Sequence, residues 1–426
     1  MNYLFKNILV LDPYNEINKT TDVLIKNNRI EEIKKNISIK QSRDTKIIEG
    51  KDKILITDVV DIYCDLKSPG HEYKDILETE LQSALNSGIT TLVCHPNTEP
   101  ILDEPSLIKN LISISKKEDS VKVAPLAAIT KKLEGLQLAE MMELAEGGAV
   151  GFSQAENSIL DTNILLKAFE YASTFDFTLF LRANELSLSK NTYANESQVA
   201  TRLGIKGQNK LAEIIEIQKY IELAKLTKAR IHISKLSCLE SINLVKKAKL
   251  EQIKITCDVS INNLTLTEND IDNYNTLCHL QPPLRSLKDK KALIQGLKDQ
   301  TIDAICSDHC PVELDKKQVP FEASEPGSSN FENFISLVIK VADENKIPHS
   351  EIIKKITINP ANIIKQKSLG LQKNMKPTFT VFDKSVVWRP SEVDMISSGK
   401  NNAHKYEMNG KVIMTFINGK NKYKYN

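Results

Sequence analysis

The chain has 426 residues, of which 41% are hydrophobic and 26% charged, and this composition excludes an intrinsically disordered protein. Lysine and arginine number 57 against 55 acidic residues, so the near-balanced charge gives no reason to expect nucleic acid or an anionic membrane as a partner. No apolar run is long enough to span a bilayer and no signal peptide pattern precedes the first strand, so we expect a cytoplasmic protein.

The cysteine and histidine patterns agree with that expectation. Seven cysteines are scattered without a Cys-x-x-Cys pair, and the odd number argues against a disulfide framework. We therefore expect free cysteines in a reducing compartment, most of them packed as small hydrophobes. The seven histidines include no local chelating pair.

Both ends of the chain predict short β-strands. Residues 7–11 precede a turn, and residues 22–26 and 29–33 flank Asn27-Asn28 as a hairpin. Residues 378–383 and 411–417 have strand patterns near the C-terminus.

The middle of the chain alternates strand and helix patterns. Eight strand candidates fall near residues 58–66, 90–96, 121–129, 149–153, 177–183, 229–236, 253–260 and 303–309. Helical patterns lie between most of them, for example at 77–86 and 211–226. This alternation predicts a (β/α)₈ barrel, because the rival open sheet would carry a Gly-rich phosphate turn after its first strand and none is present. Residues 310–330 form a predicted long loop after strand eight, a common position for a lid.

The first barrel strand ends in an unusual set of side chains. An apolar run over residues 59–66 is closed by Ser68-Pro69-Gly70. Strand alternation places Tyr63, Asp65 and Lys67 on one side at the carboxyl end, the rim where the active sites of such barrels lie.

This stretch resembles the opening signature of the dihydroorotase branch of the amidohydrolase superfamily, Asp-x-His-x-His-x-Arg-x-Pro-Gly. Asp61, Pro69 and Gly70 match that signature. The resemblance continues over nearly the whole chain in His-Pro-Asn-Thr at 95–98, Gln-Pro-Pro-Leu-Arg at 281–285, Ser-Asp-His-Cys-Pro at 307–311 and Asn-Pro-Ala at 359–361. It implies a barrel over residues 58–374 and a small β-sandwich built from residues 1–57 and 375–426.

The resemblance also implies roles for individual residues. Lys67, Asn97, Gln281 and Arg285 stand at substrate-binding positions, and Asp308 stands at the position of the general base. The resemblance implies metal ligands at five positions, histidines at 63, 65, 182 and 235 and an aspartate at 154, which are instead occupied by Tyr63, Asp65, Arg182, Lys235 and Gln154.

Two of those replacements are cations that cannot bind a metal. Arg182 and Lys235 offer no lone pair at neutral pH and would repel a dication. We expect them to replace its charge by pairing with Asp65 and Asp308. No metal cofactor is therefore expected, and zinc would be needed only if the chain were an active enzyme. An improvised site of His95, His232 and Asp65 is the alternative for a bound metal.

Three functional hypotheses follow. The first is a non-catalytic dihydroorotase-like protein that acts in pyrimidine biosynthesis as a structural partner of the aspartate carbamoyltransferase catalytic chain, in a homo- or hetero-oligomer. The second is an active dihydroorotase, or another cyclic-amide hydrolase, that interconverts N-carbamoyl-aspartate and dihydroorotate with an atypical site. The third is a ligand-sensing barrel that retains Asn97, Gln281 and Arg285. In the second reading Asp308-His309 is catalytic, and in the first it is a buried structural element.

Overall fold

The computed structural model describes residues 2–39, 44–70, 76–117, 120–392 and 395–425. The strands in chain order are β1 Asn2–Asp12, β2 Ile17–Lys26, β3 Arg29–Lys34, β4 Thr45–Glu49, β5 Lys53–Thr57, β6 Val60–Cys64, β7 Thr91–Cys94, β8 Lys122–Ala128, β9 Gly151–Ser153, β10 Thr178–Arg182, β11 Ala194–Asn195, β12 Gly207–Gln208, β13 Arg230–Ser234, β14 Ile255–Ser260, β15 Ala304–Cys306, β16 Phe379–Trp388, β17 Met408–Ile417 and β18 Lys420–Lys424.

The α-helices follow the same alternation that the sequence predicts. They are α1 Leu77–Asn86, α2 Pro105–Lys117, α3 Met141–Gly147, α4 Thr162–Thr174, α5 Leu186–Ser189, α6 Gln198–Leu203, α7 Leu211–Thr227, α8 Leu239–Leu250, α9 Ile261–Thr265, α10 Leu287–Lys298, α11 Phe334–Asn345, α12 His349–Lys354 and α13 Ile358–Ile363. In the described part of the chain, no helix is long and apolar enough to cross a membrane.

Eight parallel strands form the barrel, which confirms the (β/α)₈ prediction. Their order is β6-β7-β8-β9-β10-β13-β14-β15, and each strand pairs with its neighbour in parallel register. The ring closes where Cys64 bridges His309, with the Asp65 amide donating to the His309 carbonyl at 2.9 Å. The first and last strands therefore meet at the rim that carries the predicted site.

Burial on both faces explains why the barrel strands read as apolar runs. Every residue of β6, β7 and β10 is buried. Parallel strands covered by helices on one side and by packed side chains on the other have no solvent face, so their sequences do not alternate. Ile62, Val93 and Phe180 belong to one core cluster on these strands.

The two ends of the chain share a second sheet. Its order is β18-β17-β16-β5-β1-β2-β3, with β4 paired to β1. Phe5, Phe379 and Phe416 form its centre, with the Phe379 and Phe416 ring centroids 4.5 Å apart. The predicted hairpin is confirmed as β2–β3. The division into domains at residues 57 and 375 stays a prediction.

The segment from 310 to 330, expected to be a long loop, is partly ordered by two short 3₁₀ turns. These turns span Leu314–Lys317 and Phe321–Ala323. Residues at both ends of the segment reach the barrel rim. The segment thus covers one side of the site described next.

Candidate functional site

A cavity of about 260 Å³ opens at the carboxyl ends of the barrel strands. It brings together seven of the residues singled out in the sequence, namely Tyr63, Asp65, Lys67, Asn97, Lys235, Gln281 and Asp308. Glu156, Cys310 and Glu325 also line it. Gln154, Arg182 and Arg285 are not among the lining residues.

The first part of the site is an acid–amine–amide group that follows β6. The strand ends at Cys64, and the next residues keep its alternation, so Asp65 and Lys67 reach the same cavity. Lys67 donates to Oδ2 of Asp65, and Asn97 Nδ2 donates to Oδ1 at 2.9 Å. Burial would raise the pKa of Asp65, but Lys67 outweighs it and holds that pKa below its usual range.

The centre of the site is the Lys235 ammonium at the end of β13. Nζ lies 2.9 Å from Glu156 Oε1, 3.1 Å from Asp308 Oδ1 and 2.9 Å from the Gln281 carbonyl oxygen. It also lies 4.1 Å from the centroid of the Tyr63 ring. Burial disfavours the charged amine, yet Asp308 and Glu156 together raise the pKa of Lys235 above its ordinary value.

Sequence reasoning missed Glu156, the acid that joins the two cations. Its Oε1 accepts from the Tyr63 hydroxyl at 2.6 Å, and its Oε2 lies 3.4 Å from Arg182 Nε. Burial opposes ionisation, but Lys235 and Arg182 lower the pKa of Glu156 to about 2. The preceding Ala155 has φ +52°, a left-handed turn that no apolar periodicity predicts.

The predicted ion pairs therefore require a correction. Lys235 pairs with Asp308 as expected, but Arg182 pairs with Glu156 rather than with Asp65 or Asp308. Asp65 is paired with Lys67 instead. The error arose because Glu156 lies in a loop, and the orientation of a loop side chain could not be predicted from the sequence.

Asp308 is held by neighbours on both oxygens. Oδ1 pairs with Lys235, while Oδ2 accepts from Ser260 Oγ at 2.8 Å and from Asn262 Nδ2 at 3.3 Å. Burial raises the pKa of Asp308, and Lys235 opposes that rise. The backbone at Asp308 has φ +53°, a costly left-handed conformation for a residue other than glycine.

His309 turns away from the cavity into the core. Its Nδ1 accepts from the Asn330 amide at 3.1 Å, so the proton is on Nε2, which donates to Glu80 at 2.9 Å. The ring stacks on Phe331 with centroids 3.5 Å apart. This geometry fits the structural reading of His309 rather than a catalytic one.

The whole chain has close sequence relatives in one family. The family described as dihydro-orotase-like matches residues 52–241. A dihydroorotase of Syntrophus aciditrophicus is 32% identical over 421 residues, covering 99% of each chain. A dihydroorotase of Acetivibrio thermocellus is 33% identical over 418 residues, covering 98% of this chain and 97% of the relative.

The chain belongs to the dihydroorotase-like family of the amidohydrolase superfamily. Solved structures support the same fold: the L-hydantoinase (dihydropyrimidinase) of Arthrobacter aurescens superposes with a TM-score of 0.84 over 99% of this chain and 96% of its own, at 17% identity. The dihydropyrimidinase of Brevibacillus agri gives 0.79 over 100% and 95%, at 16% identity. The names of the sequence relatives fit an active dihydroorotase better than a non-catalytic protein.

Two residues at dihydroorotase motif positions serve the scaffold in this chain. Gln154 turns to Thr130, with Nε2 donating to Oγ1 at 2.8 Å. Arg285 was expected at the substrate, but its Nε donates to Ser237 Oγ at 3.0 Å and its Nη1 to Asn195 Oδ1 at 2.8 Å. These contacts tie the loop after Gln281 to β11 and to the loop that follows β13.

The side chains at the dihydroorotase ligand positions do not fit a zinc centre. Of the five, two are cations, one is a phenol that donates to Glu156, and one is an amide bonded to Thr130. The fifth, Asp65, is a carboxylate that is paired with Lys67. Across the residues that the structure describes, no group of three or more His, Cys, Asp or Glu side chains could hold a metal ion.

This finding contradicts the alternative of an improvised metal site formed by His95, His232 and Asp65. His232 is fully buried, with Nε2 2.8 Å from Asp258 and Nδ1 2.9 Å from Thr256, so both ring nitrogens are committed away from the cavity. His95 instead lies against the Tyr63 ring, with centroids 4.0 Å apart.

Buried histidines make acid sensitivity an expected property of this fold. Burial lowers the pKa of His95 and of His279 to about 4 and that of His404 to about 3. In the unfolded chain the histidine pKa is near 6.5, so the unfolded chain binds more protons than the folded protein between about pH 4 and pH 6.5. Above about pH 6.5 these groups are expected to leave the free energy of unfolding unaffected. As the pH drops toward 4, each histidine is expected to lower the free energy of unfolding by up to about 1.4 kcal/mol per pH unit.

Urea unfolding at a series of pH values measures this dependence. His95→Gln should reduce the slope between pH 6.5 and 4 by up to one proton relative to the wild type. An unchanged slope in that variant would show that His95 is not held neutral in the folded protein.

Proposed function

We propose that this dihydroorotase-family protein does not carry out metal-assisted hydrolysis and acts instead as a structural protein, with the catalytic chain of aspartate carbamoyltransferase as its partner. One observation carries the proposal: the Lys235 ammonium lies among three oxygen acceptors at a position where the family binds metal. An amine there supplies positive charge but no coordination site.

The chemistry of the site supports the loss of hydrolysis. A bound dication lowers the pKa of a water to near neutrality, whereas an ammonium or guanidinium group does not. Asp308, the residue at the general-base position, has both oxygens engaged by Lys235, Ser260 and Asn262. Both oxygens that could accept a proton from a water are therefore already occupied by donors of the protein.

An exposed apolar surface supports a protein partner. Helices α5 and α7 are in contact, and the Glu185 amide donates to the Ala212 carbonyl at 2.7 Å. Leu186 and Leu188 lie on α5, and Leu211 and Ile215 lie at the start of α7. All four side chains are substantially exposed. Grouped exposed apolar residues are typical of protein-binding surfaces. The identity of the partner rests on the family resemblance.

An active dihydroorotase is the second candidate, and the relatives favour it. Proteins named dihydroorotase match this chain at 32–33% identity over almost its full length. In this reading Lys235 and Arg182 would provide the electrostatic stabilisation that metals provide elsewhere, and Asp308 would accept the proton.

Metal content and turnover separate the two candidates. The purified chain, dialysed against zinc, is expected to hold far less than one zinc per chain and to convert neither dihydroorotate nor N-carbamoyl-aspartate. Turnover that Asp308→Asn abolishes would establish the enzyme, and stoichiometric zinc would overturn the claim that the site excludes a metal. Co-purification with the carbamoyltransferase catalytic chain then tests the partner, and Leu211→Glu is expected to weaken that complex while leaving the Tm unchanged. Its control is Leu250→Glu, at an exposed leucine on α8 (79% exposed, against 49% for Leu211).

A further inference from the structure

The acceptors around Lys235 form a three-oxygen cage. Its members are Glu156 Oε1, Asp308 Oδ1 and the Gln281 carbonyl oxygen, at 2.9–3.1 Å from Nζ. An ammonium group has three N–H donors, so each donor has one acceptor. The Tyr63 ring adds a cation–π contact at 4.1 Å.

The distances favour an amine over a metal as the occupant. Calcium binds oxygen at about 2.3–2.6 Å and needs six or more ligands, so three oxygens near 3 Å would have to contract around it. Nitrogen–oxygen hydrogen bonds to charged groups have lengths of about 2.7–2.9 Å, close to those present. The cage therefore matches a primary ammonium in both distance and number of acceptors.

The cage is supported from outside by a second cation. Glu156 presents one oxygen to Lys235 and the other to Arg182, 3.4 Å away, and its carboxylate thus bridges two positive charges. Because Arg182 and the Tyr63 hydroxyl both hold Glu156, the carboxylate does not depend on Lys235 alone for its position. The acceptors should remain in place when the lysine side chain is shortened.

We propose that this cage is a binding site for a primary alkylammonium ion, which Lys235 fills from within the chain. The inference rests on the proposed function, because it identifies what replaces the metals. Lys235→Ala removes Cγ, Cδ, Cε and Nζ, and n-propylammonium has the same three carbons and one nitrogen. Lys235 lines the open cavity, so the added amine has a route to the cage.

Thermal unfolding of Lys235→Ala in millimolar n-propylammonium chloride tests the proposal. The Tm is expected to rise saturably, by about 2 °C at a tenfold excess over the Kd, relative to equal sodium chloride. Equal 1-propanol, which has the same length without the charge, should give no such rise. The controls are the wild type and the variant Lys246→Ala, which removes an amine that pairs with Asp299 at the surface. The Tm of neither control should rise with the added amine.

The outcomes distinguish this proposal from the proposed function. A Tm of Lys235→Ala that is unchanged by the amine, or shifted equally by 1-propanol, would overturn the cage while leaving the zinc and turnover results of the wild type intact. Lys235→Ala combined with Asp308→Asn should lose the response. If Lys235→Ala does not fold on its own, its refolding yield with and without the amine gives the same decision: a higher yield supports the cage, and an equal yield overturns it.

Discussion

Replacing His309 with alanine is expected to lower the free energy of unfolding by about 3–5 kcal/mol. His309 and Glu80 are both fully buried and their side chains are 2.9 Å apart. The substitution leaves Oε2 of the Glu80 carboxylate without its donor, removes the acceptor of the Asn330 amide and opens a cavity against Phe331. Urea unfolding followed by circular dichroism measures the change.

The matched control is His349→Ala. His349 also pairs with an acid, Asp343, but that aspartate is 61% exposed and the pair lies at the surface. Its loss is expected to cost less than about 1 kcal/mol. A similarly small loss in His309→Ala would contradict a structural role for the residue that follows Asp308.

Restoring the family's ligands is expected to restore zinc binding. The variant carries Tyr63→His, Asp65→His, Gln154→Asp, Arg182→His and Lys235→His. It removes two cations and supplies four imidazoles and a carboxylate next to Asp308, a donor set that zinc prefers. We expect its metal content to rise from near zero to one or two zinc ions per chain, measured by atomic emission after dialysis.

The control for that variant carries only Tyr63→His and Asp65→His. Lys235 and Arg182 then remain in place, and their charge should keep the zinc content near that of the wild type. A fully substituted variant that folds and still excludes zinc would show that these five positions are not the cause of the missing metal.

The barrel was predictable from the sequence because burial on both faces leaves a simple signal. Eight apolar runs separated by helical patterns have few alternative folds, and the opening strand carried Tyr63, Asp65 and Lys67 to the rim by alternation alone. That Lys235 is unsuited to bind a metal was also predictable, because a protonated amine has no lone pair wherever its side chain points.

The direction of loop side chains was not predictable. Arg285 follows a Pro-Pro turn, and its partners Asn195, Gln208 and Ser237 are 48 to 90 residues away in the chain. Glu156 reaches the site because Ala155 adopts a left-handed turn. Neither contact has a periodic signal, since each depends on segments that meet only in the folded barrel.

The shared terminal sheet has a consequence for how the protein is made. Strand β5 lies between β1 and β16, which are separated by more than 350 residues of chain. On the ribosome, β5 is therefore synthesised long before β16, the second strand with which it pairs. Phe5 likewise lacks its contacts with Phe379 and Phe416 until those two residues have been synthesised. During that interval the nascent chain presents an open strand edge and unpaired aromatic rings, which are the features that chaperones bind. The barrel can form as it emerges, whereas this sheet can be completed only when translation is nearly over.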